Sequence, residues 1–274
     1  MSDPSSVSPS RSTTRESRST SRSGSTAGGS RLLSYQGLQI AMKVQGEGPA
    51  VLLINGMTRR LESWEPFAAE LTGRTVITFD APGVGASPAA VLPLSILRLA
   101  ALAVAVLDAA GFDEADVLGF SHGGAVAQQL ALDNPERVRR LVLVSTSCGV
   151  GATPSRGQAI MRSLRTPADA DPWLLADAMS FFWHSLAISS WSSISFLGAI
   201  SAPTLVVCGA RDRVVPSANS RVLAGRIPDA VLVMLPGGHD LQRPEPAKGL
   251  ARAVTSFLSA DRAESASSSE LFSA

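Results

Sequence analysis

Three residues far apart in the chain have the side-chain types needed to activate a hydroxyl. Ser121 lies in Gly119-Phe120-Ser121-His122-Gly123, Asp212 in GARDRVVP and His239 in PGGHD. A serine hydroxyl is a weak nucleophile until a base takes its proton. An imidazole serves best as that base when a carboxylate fixes its tautomer and steadies the cation it becomes. The G-x-S-x-G pattern marks a sharp strand-to-helix turn that lifts the serine above a sheet, and side chains beside it would collide. Read alone, the pentapeptide fits a serine N-cap equally well. Its place between an apolar run, ADVLGF (115–120), and a helical pattern over 122–133 favours the nucleophile.

The chain offers three histidines as the base, His122, His184 and His239. His122 follows the serine directly, so on the first turn of a helix its ring should point away from the hydroxyl. Its backbone N–H is better placed, at a helix N-terminus facing a developing negative charge. His184 falls in a helical insertion, where a satisfied or solvent-exposed histidine is expected. His239 follows the last strand on a Gly-Gly loop and can reach back over the sheet. Asp212 comes a few residues after its strand and completes the order Ser, Asp, His. Asp240 is adjacent to His239 and poorly placed to bond its ring. Asp80, in FDAPGVGAS, is expected to organise its own loop. The second backbone donor for an oxyanion is assigned to Met57, with Gly56 allowing close approach. Arg59 and Arg60 just beyond are read as solvated. No metal or organic cofactor is required by this chemistry.

These groups need a scaffold that collects them at one edge. LLSYQGLQIAMKV, starting at residue 32, reads as a hairpin about Gln36-Gly37. Apolar strands follow at 51–55, 75–80, 115–120, 140–147, 203–209 and 230–235, and helical spacing at 61–71, 94–110, 122–133, 217–226 and 245–258. Strands alternating with helices predict an α/β fold with a mainly parallel eight-stranded sheet and helices on both faces. In such sheets, functional groups gather beyond the carboxyl ends of the strands, where Asn55-Gly56-Met57, Ser121, Asp212 and His239 all fall. Residues 148–200 break the rhythm and are read as a short helical lid insertion. Phe181, Phe182, Trp183 and Trp191 in it are candidate walls of an acyl pocket.

The chain has 274 residues with a formal net charge of +1, so no strong field argues for nucleic acid. Residues 1–30, rich in Ser and Arg, and 259–274 read as disordered tails around one domain at 31–258. The front tail also superficially resembles an organelle transit peptide. The longest apolar stretch, 99–107, is too short for a transmembrane segment. Two cysteines, Cys148 and Cys208, make no disulfide framework and no metal site, and Cys208 is expected as a buried thiol. A reducing, cytoplasmic compartment fits this usage.

The stretch from about 35 to 258 resembles an α/β-hydrolase. It is most similar to the bacterial intracellular medium-chain poly(3-hydroxyalkanoate) depolymerases, through LLINGM, LESWEPF, FDAPGVGAS, SHGGAVAQQLALDNPERVRRLVLVSTSCGVG, WSSISFL and PTLVVCGARDRVVPSANSRVLAGRIPDA. The resemblance implies the α/β-hydrolase fold and a Ser121–Asp212–His239 triad. It implies cleavage of medium-chain hydroxyacyl esters through an acyl-enzyme, on a polymeric or small-molecule ester substrate. It also suggests contact of the apolar lid with a hydrophobic granule surface. Two departures qualify the substrate. Those relatives typically carry Trp where His122 stands, and their lid is longer. A small-molecule esterase or lactonase, a cofactor-free perhydrolase and a non-catalytic hydrolase-fold binding or signalling protein therefore stay open.

Overall fold

The computed structural model describes residues 29–154 and 174–260, leaving aside the side chains of 174–178. The expected tails fall almost wholly outside the described residues, as does 155–173 of the expected lid.

The chain opens with the hairpin β1 (Arg31–Tyr35) and β2 (Leu38–Gln45), closed by Gln36 and Gly37 at φ 48° and 81°. Two consecutive positive φ values suit the twist of the strands they join. β3 (Ala50–Ile54) leads through a 3-10 turn (Leu61–Trp64) into the short α1 (Glu65–Ala68). β4 (Thr75–Phe79), α2 (Ile96–Ala110), β5 (Ala115–Phe120) and α3 (His122–Asp133) follow. α2 starts at a Ser95 cap, which accepts from the Arg98 N–H, and ends at Gly111 in the left-handed region. After β6 (Val138–Val144) come the insertion helix α4 (Leu174–Ser189), β7 (Thr204–Gly209), α5 (Ala218–Arg226), β8 (Ala230–Leu235) and α6 (Pro244–Ser259).

The eight strands form one sheet in the order β1-β2-β4-β3-β5-β6-β7-β8. β1, β2 and β4 pair antiparallel and every later pairing is parallel. Alternate side chains feed two cores. On one face Leu52 and Val117 pack with α2, α3 and α5; on the other Leu53, Leu118 and Phe120 pack with α1 and α6. This double coverage explains why β3, β4, β5 and β7 are buried along their whole length. The order reverses at β3, which runs between β4 and β5. A crevice therefore opens beyond the carboxyl ends of β3 and β5. β6 differs from expectation at its end: it stops at Val144, because Ser145 turns to φ 48° and carries Thr146 and Ser147 out over the crevice.

Among the described residues, no helix is long and apolar enough to cross a membrane.

Candidate active site

Ser121 links β5 to α3 with φ 52° and ψ −118°, a conformation costing a non-glycine residue about 1–3 kcal/mol. Its neighbours enforce it. The Ser121 N–H donates to the Val144 carbonyl at 2.9 Å, and the Ser121 carbonyl accepts from the Gly124 N–H at 2.9 Å and Thr146 Oγ1 at 2.6 Å. The glycines around it are steric necessities. A Cβ on Gly119 would lie 2.4 Å from the Gly123 carbonyl oxygen, and one on Gly123 would lie 2.2 Å from that of Ile54.

The structure brings the three distant groups together. His239 Nε2 lies 3.1 Å from Ser121 Oγ, and His239 Nδ1 lies 2.9 Å from Asp212 Oδ2. Asp212 Oδ1 accepts the Val214 and Val215 N–H groups at 2.8 and 2.9 Å. Those bonds fix the carboxylate, so its other oxygen is held for the imidazole. The His239 ring rests against Phe120, with centroids 5.0 Å apart. In this arrangement Nδ1–H donates to Asp212, and Nε2 is left as the acceptor for the serine proton.

The loop after β3 is pinned from its first residue. Asn55 Nδ2 donates to the Arg60 carbonyl and to Ser63 Oγ, while its Oδ1 accepts the Gly56 N–H. Gly56 passes so close over the serine that a Cβ would meet the Phe120 ring at 3.0 Å and Ser121 Cβ at 3.3 Å. Met57 and His122 both border the cavity beside Ser121. The His122 N–H opens α3, and the first N–H groups of a helix have no intrahelical acceptor. The pair can hold a negative oxygen.

The cavity is about 330 Å³ in volume and mixes the Ser121 and His239 tips with apolar walls from Phe120, Phe181, Ile188, Val214 and Val215. Of the four lid aromatics expected to line it, Phe181 does so. Phe182 is exposed, Trp183 packs on Phe182, and Trp191 is buried away from the cavity with its Nε1 donating to Gln129 Oε1. Helical periodicity is the reason: on α4, Phe181, Ser185 and Ile188 share the face over the cavity, and Phe182 points outward.

Three other expectations resolve with equal detail. Asp80 does organise its loop: its carboxylate accepts the Leu61 and Ala86 N–H groups, and burial pushes its pKa up to about 6. His184 is neither satisfied nor exposed. It is buried and stacked on His122 at 4.8 Å, and His122 Nε2 and His184 Nδ1 have no partner among the described residues. Burial lowers the His184 pKa to about 4 and holds His122 well below the usual histidine range, with His184 adding to the effect. Arg59 is not a solvated side chain. It borders the cavity and pairs with Asp240 at 2.9 Å.

Thr146, Val214 and Val215 were not anticipated as parts of the site. The two valines directly follow the Asp212 turn in sequence, and that turn was the available signal. Thr146 gave none, because its role depends on β6 lying beside β5. Cys148 and Cys208 are both buried free thiols.

A model of the family described as alpha/beta hydrolase fold matches residues 49–183 and 174–246. The chain is 34% identical over 241 residues to a poly(3-hydroxyalkanoate) depolymerase of Ectopseudomonas oleovorans, covering 77% of this chain and 85% of that protein. It is 27% identical over 222 residues to a 3-oxoadipate enol-lactonase of Acinetobacter baylyi, covering 71% and 83% respectively. A solved hydrolase from Pseudomonas aeruginosa aligns with a TM-score of 0.72 at 29% identity, covering 86% of this chain and all of that one.

Proposed function

The chain belongs to the α/β-hydrolase fold family, and from that premise we propose that it hydrolyses carboxylic esters with Ser121 as nucleophile. The observation that carries this is the Ser121–His239–Asp212 relay at 3.1 and 2.9 Å, with Ser121 and His239 bordering a cavity of about 330 Å³. His239 Nε2 takes the serine proton as Oγ bonds to the ester carbonyl carbon. The carbonyl oxygen becomes an oxyanion held by the Met57 and His122 N–H groups, a contribution worth about 10²–10³-fold per donor. The carbon–oxygen bond to the alcohol then breaks, and the alkoxide takes the proton from His239. Water, deprotonated by the same ring, attacks the acyl-enzyme and frees the acid.

For the substrate we propose a hydroxyacyl ester of medium chain length. Similarity to the E. oleovorans depolymerase supports it, as does the apolar wall of Phe181 and Ile188. Met179, Phe182 and Leu186 on the outer face of α4 are 49%, 57% and 47% exposed, which supports contact with a hydrophobic polyester surface. A second reading, a small soluble ester or lactone, is favoured by the cavity volume, near the lower end of the roughly 300–1,000 Å³ range of ligand pockets. Buried free thiols support a reducing, cytoplasmic setting.

Nitrophenyl esters of graded acyl length test the reaction, and a medium-chain polyester suspension tests the substrate. Turnover that survives Ser121→Ala would refute the nucleophile. Cleavage confined to the shortest soluble esters would select the second reading.

A further inference from the structure

The carbonyl of Ser121 and the N–H of His122 belong to one peptide unit. Such a unit is planar and trans, so its carbonyl and its N–H point in opposite directions. Whatever holds the Ser121 carbonyl on one side therefore aims the His122 N–H on the other. The Gly124 N–H holds it at 2.9 Å and Thr146 Oγ1 at 2.6 Å. The first donor lies within the opening turn of α3 and would move with it. The second comes from just beyond β6, so it ties the peptide to a neighbouring strand.

Thr146 is held in place to reach this carbonyl. The chain leaves β6 at Ser145, whose φ of 48° turns it out of the sheet while its N–H donates to the Val207 carbonyl at 2.8 Å. Thr146 itself is buried, and its branched side chain has few rotamers to choose from. A Cβ on Gly124 would lie 2.4 Å from both Cβ and Oγ1 of Thr146, so glycine at this position is what admits the threonine. Gly124 lies outside the G-x-S-x-G pattern, and the room it leaves for Thr146 accounts for it.

We propose that Thr146 is a positioning residue of the oxyanion site. Its hydroxyl fixes the plane of the Ser121–His122 peptide and polarises it, so that the His122 N–H is aimed at the reacting oxygen and donates more strongly. This rests on the ester-hydrolase reading above and adds to it a residue that acts through the peptide rather than on the reacting atoms. Hydrogen bonds in series strengthen one another in a low-dielectric interior. A donor on the carbonyl draws electron density from the peptide nitrogen, and the N–H on the far side becomes a better donor. The gain is greatest when its acceptor carries a full negative charge, as the oxyanion does and the bound ester does not. Thr146 therefore acts on kcat more than on KM.

Thr146→Val keeps the branched shape and removes the donor. On a nitrophenyl ester it is expected to lower kcat about threefold to tenfold, the range of one neutral hydrogen bond, with KM changed less than about twofold. Thr146→Ser, which keeps the hydroxyl, should hold most of the parent's kcat. Thr146→Ala removes the same donor with less bulk and stands in where valine is not accommodated. Inhibitors supply a readout that mere loosening of the fold would not single out. With a trifluoromethyl ketone, Ser121 Oγ bonds to the carbonyl carbon, the carbonyl oxygen becomes the oxyanion, and the serine proton passes to His239. Affinity for this ketone should fall in Thr146→Val by the same factor as kcat/KM. The matching secondary alcohol, which forms no adduct, should bind as it does to the parent. An unchanged kcat in Thr146→Val and Thr146→Ala, a loss in Thr146→Ser as large as in Thr146→Val, or an unchanged ketone affinity while kcat falls would each overturn the assignment and leave ester hydrolysis intact. Failure of the underlying reading shows separately, as turnover that is absent from the parent or survives Ser121→Ala, and the assignment then fails with it.

Discussion

Asp212 has a divided task. One oxygen is committed to the Val214 and Val215 N–H groups, and the other faces His239. Asparagine has the same shape but opposite demands at its two ends. If its amide oxygen keeps the two N–H groups, its NH₂ points at Nδ1, which must then accept. The ring proton moves to Nε2, and the base faces Ser121 already protonated. Asp212→Asn should therefore lower kcat by roughly 10³–10⁴-fold with little change in melting temperature. A loss below about tenfold on nitrophenyl esters would show that the carboxylate does not set the tautomer. Ser121, Asp212 and His239 were legible in the sequence because each lies just beyond the end of a recognisable strand. Arg59 was not. Its sequence neighbours suggest a solvated Arg-Arg pair, whereas its environment is set by Asp240, 181 positions away. His184 misled for a similar reason: only the folded chain lays it on His122.

Strands read well from sequence because a sheet covered on both faces demands unbroken apolar runs, and β3, β4, β5 and β7 supply them. The insertion read poorly. Its apolar residues surround α4 on several sides, so composition alone did not separate Phe181, facing the cavity, from Phe182, facing solvent. The β5–α3 corner lies between these cases. Its motif was visible, but the clearances that require glycine were not. At Gly119 an added Cβ would lie 2.4 Å from the Gly123 carbonyl oxygen and 2.7 Å from Ala127 Cβ, so strand and helix would have to part along α3. Neither obstacle is the flexible end of a side chain. Gly119→Ala is thus expected to cost about 1–3 kcal/mol, the usual range for overpacking, and to lower activity by displacing Ser121. Urea denaturation checks the first effect. A variant as stable and active as the parent would mean that the corner yields more readily than these distances imply.

At the scale of the whole molecule, three buried groups among the described residues, Asp80, His122 and His184, tie stability to pH on the acid side, with opposite signs. The Asp80 pKa is raised from 3.8 to about 6. Folding then favours its protonated form, and this contribution is complete below 3.8 and is lost as pH rises through about 6. The His184 pKa is lowered from 6.5 to about 4. Its contribution is complete above 6.5 and is lost as pH falls through about 4. His122 is lowered too and acts in the same sense as His184. Each group whose protonation differs between folded and unfolded chains contributes about 1.4 kcal/mol per pH unit within its window. Between pH 4 and 6 Asp80 and His184 oppose each other, and His122 adds to His184. The protein should therefore gain stability as pH rises through this window. Asp80→Asn removes the opposing group, so its gain should be steeper. His184→Gln removes one of the two histidines, and its profile should be shallower than the parent's. Urea titrations at half-unit steps across this window measure all three slopes. Because the slope rather than the absolute stability is read, a hydrogen bond weakened by either substitution does not disturb the comparison. Parallel profiles for the parent and Asp80→Asn would show that the Asp80 carboxyl titrates outside the window and that the acid-side behaviour is set elsewhere in the fold.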